Sequence, residues 1–445
     1  MEINFSNAEK VIYGGNEATA VYVGNTKVWG IENYNPDLGY TTFTVSNGHI
    51  DLSAPSSTEI YVDNIKQDVS EYSAGTLPVE ANDNENKKVK IKGEFTIRDS
   101  TADIINVILQ NDLTDYSYTF RDCAGSIEIK TIPEGITNCD YMFYYCSGLI
   151  KVKEIPSTVT SCSHMFYCCT GLTEAPIIPN SVTNCSHMFY KCTSLTEAPI
   201  IPNSVTDCSY MFSSTGITEA PVIPEGVTDC YNMFMSCASL TKAPVIPNSV
   251  TNCNYMFSEC ISLTEAPVIS YGVTDCLGMF HTCTSLTEAP IIPNSVTNCS
   301  YMFAYCSSLT EAPVIPNSVT NCSNMFGDCI NLTEAPIIPN SVTDCSYMFS
   351  SCTGLTEAPV IPNSVTNCKV MFYKCTSLTE APVIPNSVTN CSYMFYNCTY
   401  LTTLPQENIA LFTNKPATMI NTEECYNGCI SLTNPPLSEI PYGWK

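Results

Sequence analysis

The chain has 445 residues, of which 44% are apolar and 14% charged, and its formal net charge is −25. A single hydrophobic core stops growing near about 250–300 residues, so this length predicts several domains or a repeat array. The negative charge disfavours binding to nucleic-acid phosphates, which requires a basic surface. We expect no membrane insertion, because no apolar run reaches the ~18 residues of a spanning helix. Residues 1–10 show no signal-peptide pattern.

Residues 1–115 are predicted to form a separate N-terminal β-rich anchor and cap, because they lack the period found later in the chain. Strand-like apolar patterns occupy Lys10–Tyr13, Ala20–Val23 and Lys88–Lys92. The short apolar run Asp103–Leu109 is expected to be a capping helix.

A 23-residue unit repeats from residue 116 onward, as in LTEAPIIPNSVTNCSYMFAYCSS from Leu286 to Ser308. A second cysteine follows the first by seven residues in every complete unit except the one that carries Thr215 there. The first cysteines of successive units are 23 residues apart, except for one interval of 22 residues between Cys208 and Cys230. They are Cys139, Cys162, Cys185, Cys208, Cys230, Cys253, Cys276, Cys299, Cys322, Cys345, Cys368 and Cys391.

The period predicts a repeat solenoid over residues 116–403, followed by an insertion and a degenerate C-terminal capping repeat over 404–445. No unit can bury its apolar face alone, so we expect the units to stack at ~4.8 Å per step. In the capping repeat, Cys425 and Tyr426 take the Met and Phe positions.

Within one unit, Leu286, Ala289 and Ile291 follow an L-x-x-L-x-L spacing. This spacing predicts a short strand whose large residues point inward, so the fold class is a parallel β stack with short helical turns. Met302 and Phe303 are expected to supply most of the core. The same Met-Phe pair recurs twelve times along the chain.

The order L-x-x-(A/I)-x-(I/V)-x-P-x-S-V-T-x-C-x-x-M-F-x-x-C-x-x-L resembles the BspA-like leucine-rich repeats of bacterial surface proteins. The resemblance covers roughly three quarters of the chain and departs from the family pattern at the first cysteine, where an aliphatic residue is more common. It implies a right-handed, all-parallel solenoid and a binding or adhesion role without catalysis. It does not identify the ligand.

The segment VYVGNTKVWG, Val21 to Gly30, resembles short N-terminal segments of tailed-phage structural proteins. Together with the missing signal peptide, it favours a non-enzymatic virion structural protein, such as a head or tail fibre or a decoration protein. Residues 1–115 would then contact other virion proteins, and the repeats would contact a host-surface glycan or protein. The alternative is a bacterial cell-surface leucine-rich-repeat adhesin. A carbohydrate-active enzyme would need a carboxylate pair in a cleft, and no catalytic motif or cofactor site is evident.

The 27 cysteines have two interpretations. Small buried thiols pack like apolar residues, which favours reduced ladders. Disulfides within or between units are the alternative, although parallel Cβ vectors make their geometry poor. Spacings of seven residues without paired C-x-x-C do not match zinc frameworks, so no metal site is expected.

An acidic residue recurs at one position of the unit and predicts a file of carboxylates on one exposed face. This file either keeps the protein soluble or forms a rail for cations or a basic partner. We favour the solvated face. Lys242 takes this position in one unit and interrupts the file. We call the file the Glu column, and its members are Glu174, Glu197, Glu219, Glu265, Glu288, Glu311, Glu334, Glu357 and Glu380.

Two positions vary between units, two and five residues after the first cysteine. Because the core positions hardly vary, we expect these two to face solvent. Exposed tyrosine suits sugar or protein contacts, and ordinary surface variation is the alternative. The candidate binding residues are Tyr141, Tyr144, Tyr167, Tyr190, Tyr373, Tyr393 and Tyr396.

Overall fold

The computed structural model describes residues 40–445 except 69–75, 82–84, 99, 111 and 130, together with the backbone of 12–13, 16–17, 20–23 and 26–30. Strands are concentrated before residue 130. In chain order they are β1 Ile12–Tyr13, β2 Asn16–Glu17, β3 Ala20–Val23, β4 Thr26–Gly30, β5 Thr41–Ser46, β6 Gly48–Ser53, β7 Glu59–Val62, β8 Ile65–Gln67, β9 Thr76–Ala81, β10 Lys87–Lys92, β11 Thr96–Arg98, β12 Asp103–Ile108 and β13 Ile127–Ile129.

The strands form open sheets. β1 pairs with β2 and β3 with β4, and two larger sheets have the orders β13-β12-β5-β10-β7-β8 and β11-β6-β9. The predicted strands at Ala20–Val23 and Lys88–Lys92 are confirmed, and the described part of Lys10–Tyr13 is β1. Alternating burial along β5 and β10 explains why these segments are strands, because one face packs inward.

The prediction of a capping helix at Asp103–Leu109 is wrong, because this run is strand β12. It pairs antiparallel with β5 and parallel with β13, so it joins the N-terminal sheet to the first repeat. A short apolar run does not distinguish a buried strand from a helix by periodicity alone, and here two neighbouring strands satisfy its backbone groups.

The repeat units lie side by side, and backbone hydrogen bonds join each unit to the next. The N–H of Tyr141 donates to the carbonyl of Ser163 at 3.0 Å, and the N–H of Phe143 donates to that of Met165 at 2.9 Å. Between them, the N–H of Met142 donates within its own unit to Cys139 at 3.2 Å. Alternate donors therefore hold the turn together and join the stack.

The predicted strand over Leu286–Ile291 is absent from the described residues, where isolated parallel bridges such as Glu265↔Glu288 take its place. Leu286 points inward as expected, but Ile291 is 88% exposed and Ile292 is buried instead. Pro290 lacks a backbone donor, so a regular ladder cannot form at this place.

The core prediction is confirmed, because all twelve Met-Phe pairs are fully buried. The phenylalanine rings stack from unit to unit with centroids 5.4 to 5.8 Å apart, from Phe120 to Phe395. Tyr426 continues the column at 5.3 Å, as its place in the capping repeat predicts. Each unit thus buries the aromatic face of its neighbour.

The C-terminal insertion contains α1, Gln406–Leu411, the one α-helix of the described residues. Beyond the last repeat, the ring of Trp444 packs on Tyr426 with centroids 6.1 Å apart and on Phe412 at 5.3 Å. These side chains cover the ring of Tyr426 at the C-terminal end of the aromatic core.

Candidate binding surface

A column of stacked rings crosses the first units. It consists of Tyr118, Tyr141, His164, His187 and Tyr210, one from each successive unit. Neighbouring centroids are 4.5, 4.5, 4.3 and 4.3 Å apart, and the ring planes lie within 18° of parallel. We call this set the first aromatic column.

The backbone fixes the direction of these rings. Tyr141, His164, His187 and Tyr210 all have φ between 55° and 57°, in the left-handed region that non-glycine residues rarely adopt. In this conformation the N–H of each residue can donate to the next unit, as His164 does to Ser186 at 3.0 Å. The hydrogen bonds that join the units therefore also place the side chains in one file.

A second aromatic column runs beside the first and contains Tyr144, Tyr167 and Tyr190. Its centroids are 4.9 and 4.6 Å apart, and the ring of Tyr144 lies 5.5 Å from that of Tyr141. The ammonium of Lys191 lies 5.3 Å from the centroid of the Tyr190 ring, within range of a cation–π interaction. We call the two columns together the aromatic patch.

The expectation that both variable positions face solvent is only partly right. All seven candidate tyrosines are half-buried, while Ser213, Ser258 and Ala304, at the second variable position of other units, are buried. The reason is that side chains at these positions pack against the equivalent side chain of the adjacent unit. The sequence varies there because the neighbour in the stack, rather than the Met-Phe core, determines what fits.

The candidate tyrosines separate into two groups. Tyr141, Tyr144, Tyr167 and Tyr190 meet in the aromatic patch, whereas the other three lie near the C-terminal end of the array. There the rings of Tyr373 and Tyr396 stack at 5.3 Å, and Tyr393 lies 5.9 Å from Tyr396.

Four residues of the first aromatic column, Tyr118, His164, His187 and Tyr210, and the adjacent Tyr145 are absent from the candidate binding residues predicted from the sequence. Tyr118 begins the first column, and Tyr145 packs on Tyr144 with centroids 4.7 Å apart. Tyr118 stands 23 residues before Tyr141, so the period alone could have identified it. Tyr145 gives no such signal, since the equivalent residue of the next unit is Cys168.

The patch carries uncharged aromatic side chains at neutral pH. Burial, and then the neighbouring His187, lowers the pKa of His164 to about 4, and burial also lowers the pKa of His187. Burial raises the pKa of Tyr141, Tyr144 and Tyr167. Because the ring faces cover one another, the patch offers ring edges and hydroxyl groups to a partner, which can make apolar contacts and hydrogen bonds.

In the described part of the chain, no three His, Cys, Asp or Glu side chains are grouped so that they could hold a metal ion. The cysteines are buried free thiols. Burial raises the pKa of Cys139 and Cys185 to about 12, which makes them poor nucleophiles at neutral pH. Among the residues that the structure describes, no helix is long and apolar enough to cross a membrane.

Comparison with known proteins identifies the repeats. The family model described as the BspA type leucine rich repeat region matches residues 114–241, 229–356 and 324–439. No curated protein matches the chain. The phage-like segment Val21–Gly30 lies before all the residues that the family model matches.

Two solved structures resemble the chain. A leucine-rich repeat protein from Bacteroides ovatus is 20% identical with a TM-score of 0.50, over 79% of this chain and 93% of that protein. A leucine rich cell surface protein from Faecalibacterium prausnitzii is 22% identical with a TM-score of 0.41, over 69% of this chain and 90% of that protein. The family match, which spans well over half of the residues, shows that this chain belongs to the BspA-type leucine-rich repeat family.

Proposed function

We propose that this protein is a non-catalytic binding protein whose repeats form a solenoid and whose aromatic patch contacts a protein partner on a cell surface. The observation that carries the proposal is the pair of columns in which half-buried rings of successive units stack face to face. Rigid, stacked tyrosines lose little entropy on binding, and their hydroxyls form directional hydrogen bonds.

The patch chemistry favours a protein over a glycan. Sugars stack on free aromatic faces, but the faces of Tyr141 and Tyr167 are covered by rings of adjacent units. Ring edges and hydroxyls suit backbone and side-chain groups of a polypeptide. The weakly basic His164 and the raised thiol pKa values also support binding without catalysis.

The experiment compares binding of the labelled protein to intact cells before and after protease or periodate treatment of the cells. We expect protease, but not periodate, to abolish binding. The variant Tyr144→Ala, Tyr167→Ala, Tyr190→Ala should lose binding, while the control Tyr301→Ala, Tyr305→Ala, Tyr347→Ala should retain it. Equal binding by both variants would disprove the role of the patch, and periodate sensitivity would indicate a glycan ligand.

For the location, we propose display on a bacterial cell surface, which rests on the family to which the repeats belong. Surface proteolysis of intact producing cells should then release repeat fragments. The virion hypothesis started from the resemblance of Val21–Gly30, a segment outside the residues that the family model matches. Proteomics of purified phage particles tests it directly, and detection of the protein there would replace the cell-surface proposal.

A further inference from the structure

A second surface, independent of the aromatic patch, follows the Pro-(Ile/Val) segment of each unit. One aliphatic residue per unit stands exposed there, and nine of the ten are 72–88% exposed. We call this set the aliphatic stripe: Ile177, Ile200, Val222, Val245, Val268, Ile291, Val314, Ile337, Val360 and Val383. Repeated exposure of large aliphatic side chains along one file marks an interaction surface rather than scattered variation.

Grooves between adjacent units open along the stripe. One of about 680 Å³ lies between the segments that carry Ile337 and Val360, and another of about 440 Å³ lies between those of Val314 and Ile337. Among the described residues, the N–H groups of Ile315 and Ile338 in these grooves have no hydrogen-bond acceptor. A partner can therefore gain both apolar contacts and backbone hydrogen bonds here.

The last unit shows which chemistry fits such a groove. The side-chain amide of Asn408, on α1, donates to the carbonyl of Pro382 at 2.9 Å and accepts from the N–H of Ile384 at 2.8 Å. Asn408 is fully buried, and Val383 between those two groups is only 44% exposed. A short helix with an inward carboxamide thus covers the end of the stripe.

Charge selects among possible partners. The Glu column is exposed and stands three residues before the stripe in every unit except that of Val245, where Lys242 takes the position. A groove lined by Glu288 and Glu311 shares Ala312 and Pro313 with the groove at Val314. Acidic and apolar surfaces are therefore contiguous. A second copy of this chain, with its net charge of −25, would meet repulsion here, whereas a cationic partner would be attracted.

From these observations we propose that the aliphatic stripe and the Glu column together dock a cationic amphipathic helix that inserts an Asn or Gln side chain between units. The apolar face of the helix covers residues such as Val314, its carboxamide pairs with the free backbone groups as Asn408 does, and its lysines face the Glu column. Equivalent rings of adjacent units are 4.3 to 5.8 Å apart, a range that includes the ~5.4 Å pitch of a helix, so successive turns can follow successive units.

The test uses the full chain and a synthetic 18-residue amphipathic helix of leucine and lysine with one central asparagine on its apolar face, measured by calorimetry. We expect the variant Ile291→Ser, Val314→Ser, Ile337→Ser to weaken binding by about tenfold or more, because three apolar contacts are lost. The control Ile65→Ser, Ile420→Ser, Ile430→Ser, at exposed positions outside the stripe, should leave the affinity unchanged.

Separate variants test the contribution of the Glu column and that of the carboxamide of the helix. Glu288→Gln, Glu311→Gln, Glu334→Gln should weaken binding more than Glu80→Gln, Glu94→Gln, Glu128→Gln, which removes the same charge elsewhere. A helix with alanine for its asparagine should bind less tightly. Equal effects of the two variants in either pair would overturn the proposal, as would self-association of the unliganded protein that the stripe variant abolishes. The aromatic-patch variant should bind the helix normally, which separates this surface from the proposed function.

Discussion

The thiol of Cys306 donates a hydrogen bond to the carbonyl oxygen of Phe280, 3.1 Å away in the preceding unit. The equivalent bond recurs along the stack, for example from Cys329 to Phe303 at 3.0 Å. The second cysteine of each unit is therefore a hydrogen-bond donor between units as well as a small apolar side chain. A disulfide would remove this donor.

This bond predicts a difference between the two cysteines of a unit. Cys299 is equally buried, but among the described residues its thiol has no acceptor. Cys306→Ala and Cys299→Ala each remove one buried sulfur, and only the first also removes a hydrogen bond. We expect Cys306→Ala to lower the free energy of unfolding by about 1 kcal/mol more than Cys299→Ala, measured by urea denaturation. Equal losses would show that the bond contributes nothing.

Thiol reactivity should single out Cys168. It is 8% exposed, whereas the other buried cysteines of the repeats are fully enclosed, so a reagent can reach its sulfur although burial raises its pKa. We expect a thiol reagent at pH 8 to modify one cysteine in the native protein and the remainder only after denaturation. Cys168→Ser should remove this first reaction, and Cys169→Ser should leave it intact. Rapid native reaction of many thiols would contradict the packed core.

The stacked histidines predict a loss of stability in acid. Because the folded protein lowers the pKa of His164 from 6.5 to about 4, the unfolded chain binds protons first as the pH falls. The stabilising effect is complete above pH 6.5 and is lost as the pH falls through about 4. The variant His164→Tyr, His187→Tyr keeps an aromatic ring at both positions, so its urea midpoint should fall less between pH 7 and pH 4.

The control for this experiment is His49→Gln, at an exposed histidine in the N-terminal sheets. Its urea midpoint should follow the wild-type pH profile. An acid response of the double variant identical to that of the wild type would exclude the two stacked histidines as its source.

Sequence periodicity was sufficient to predict what one unit demands of its neighbour. Met302 and Phe303 had to be buried because the same pair recurs twelve times, and Tyr426 had to follow Phe395 because it occupies the same position. Periodicity could not predict the exposure of residues whose environment depends on the backbone geometry. Ile291 is exposed because Pro290 prevents a regular strand.

The two variable repeat positions that form most of the aromatic patch were predictable from the sequence, but the geometry of the patch was not. The repeat position of Tyr141 identified it as variable, yet its φ of 57° and the resulting contact with His164 depend on hydrogen bonds between units. A residue pattern does not predict which faces of the Tyr141 ring are covered by neighbouring rings. The unpaired backbone groups beside the aliphatic stripe were not predictable either, because hydrogen bonding there depends on the distance between neighbouring units.

A substitution of Lys242 can test the electrostatics of the Glu column. Lys242 interrupts this file of carboxylates, and its backbone forms an isolated parallel β-bridge with that of Glu219. Lys242→Glu would complete the file and add repulsion with Glu265, so we expect a lower urea midpoint in low salt. The difference should shrink in 1 M salt, where the Debye length is about 3 Å. Lys415→Glu, which changes the net charge equally at an exposed position outside the column, should have a smaller effect. If both variants lose the same stability at low salt, the column acts only through net charge and its regular spacing has no energetic consequence.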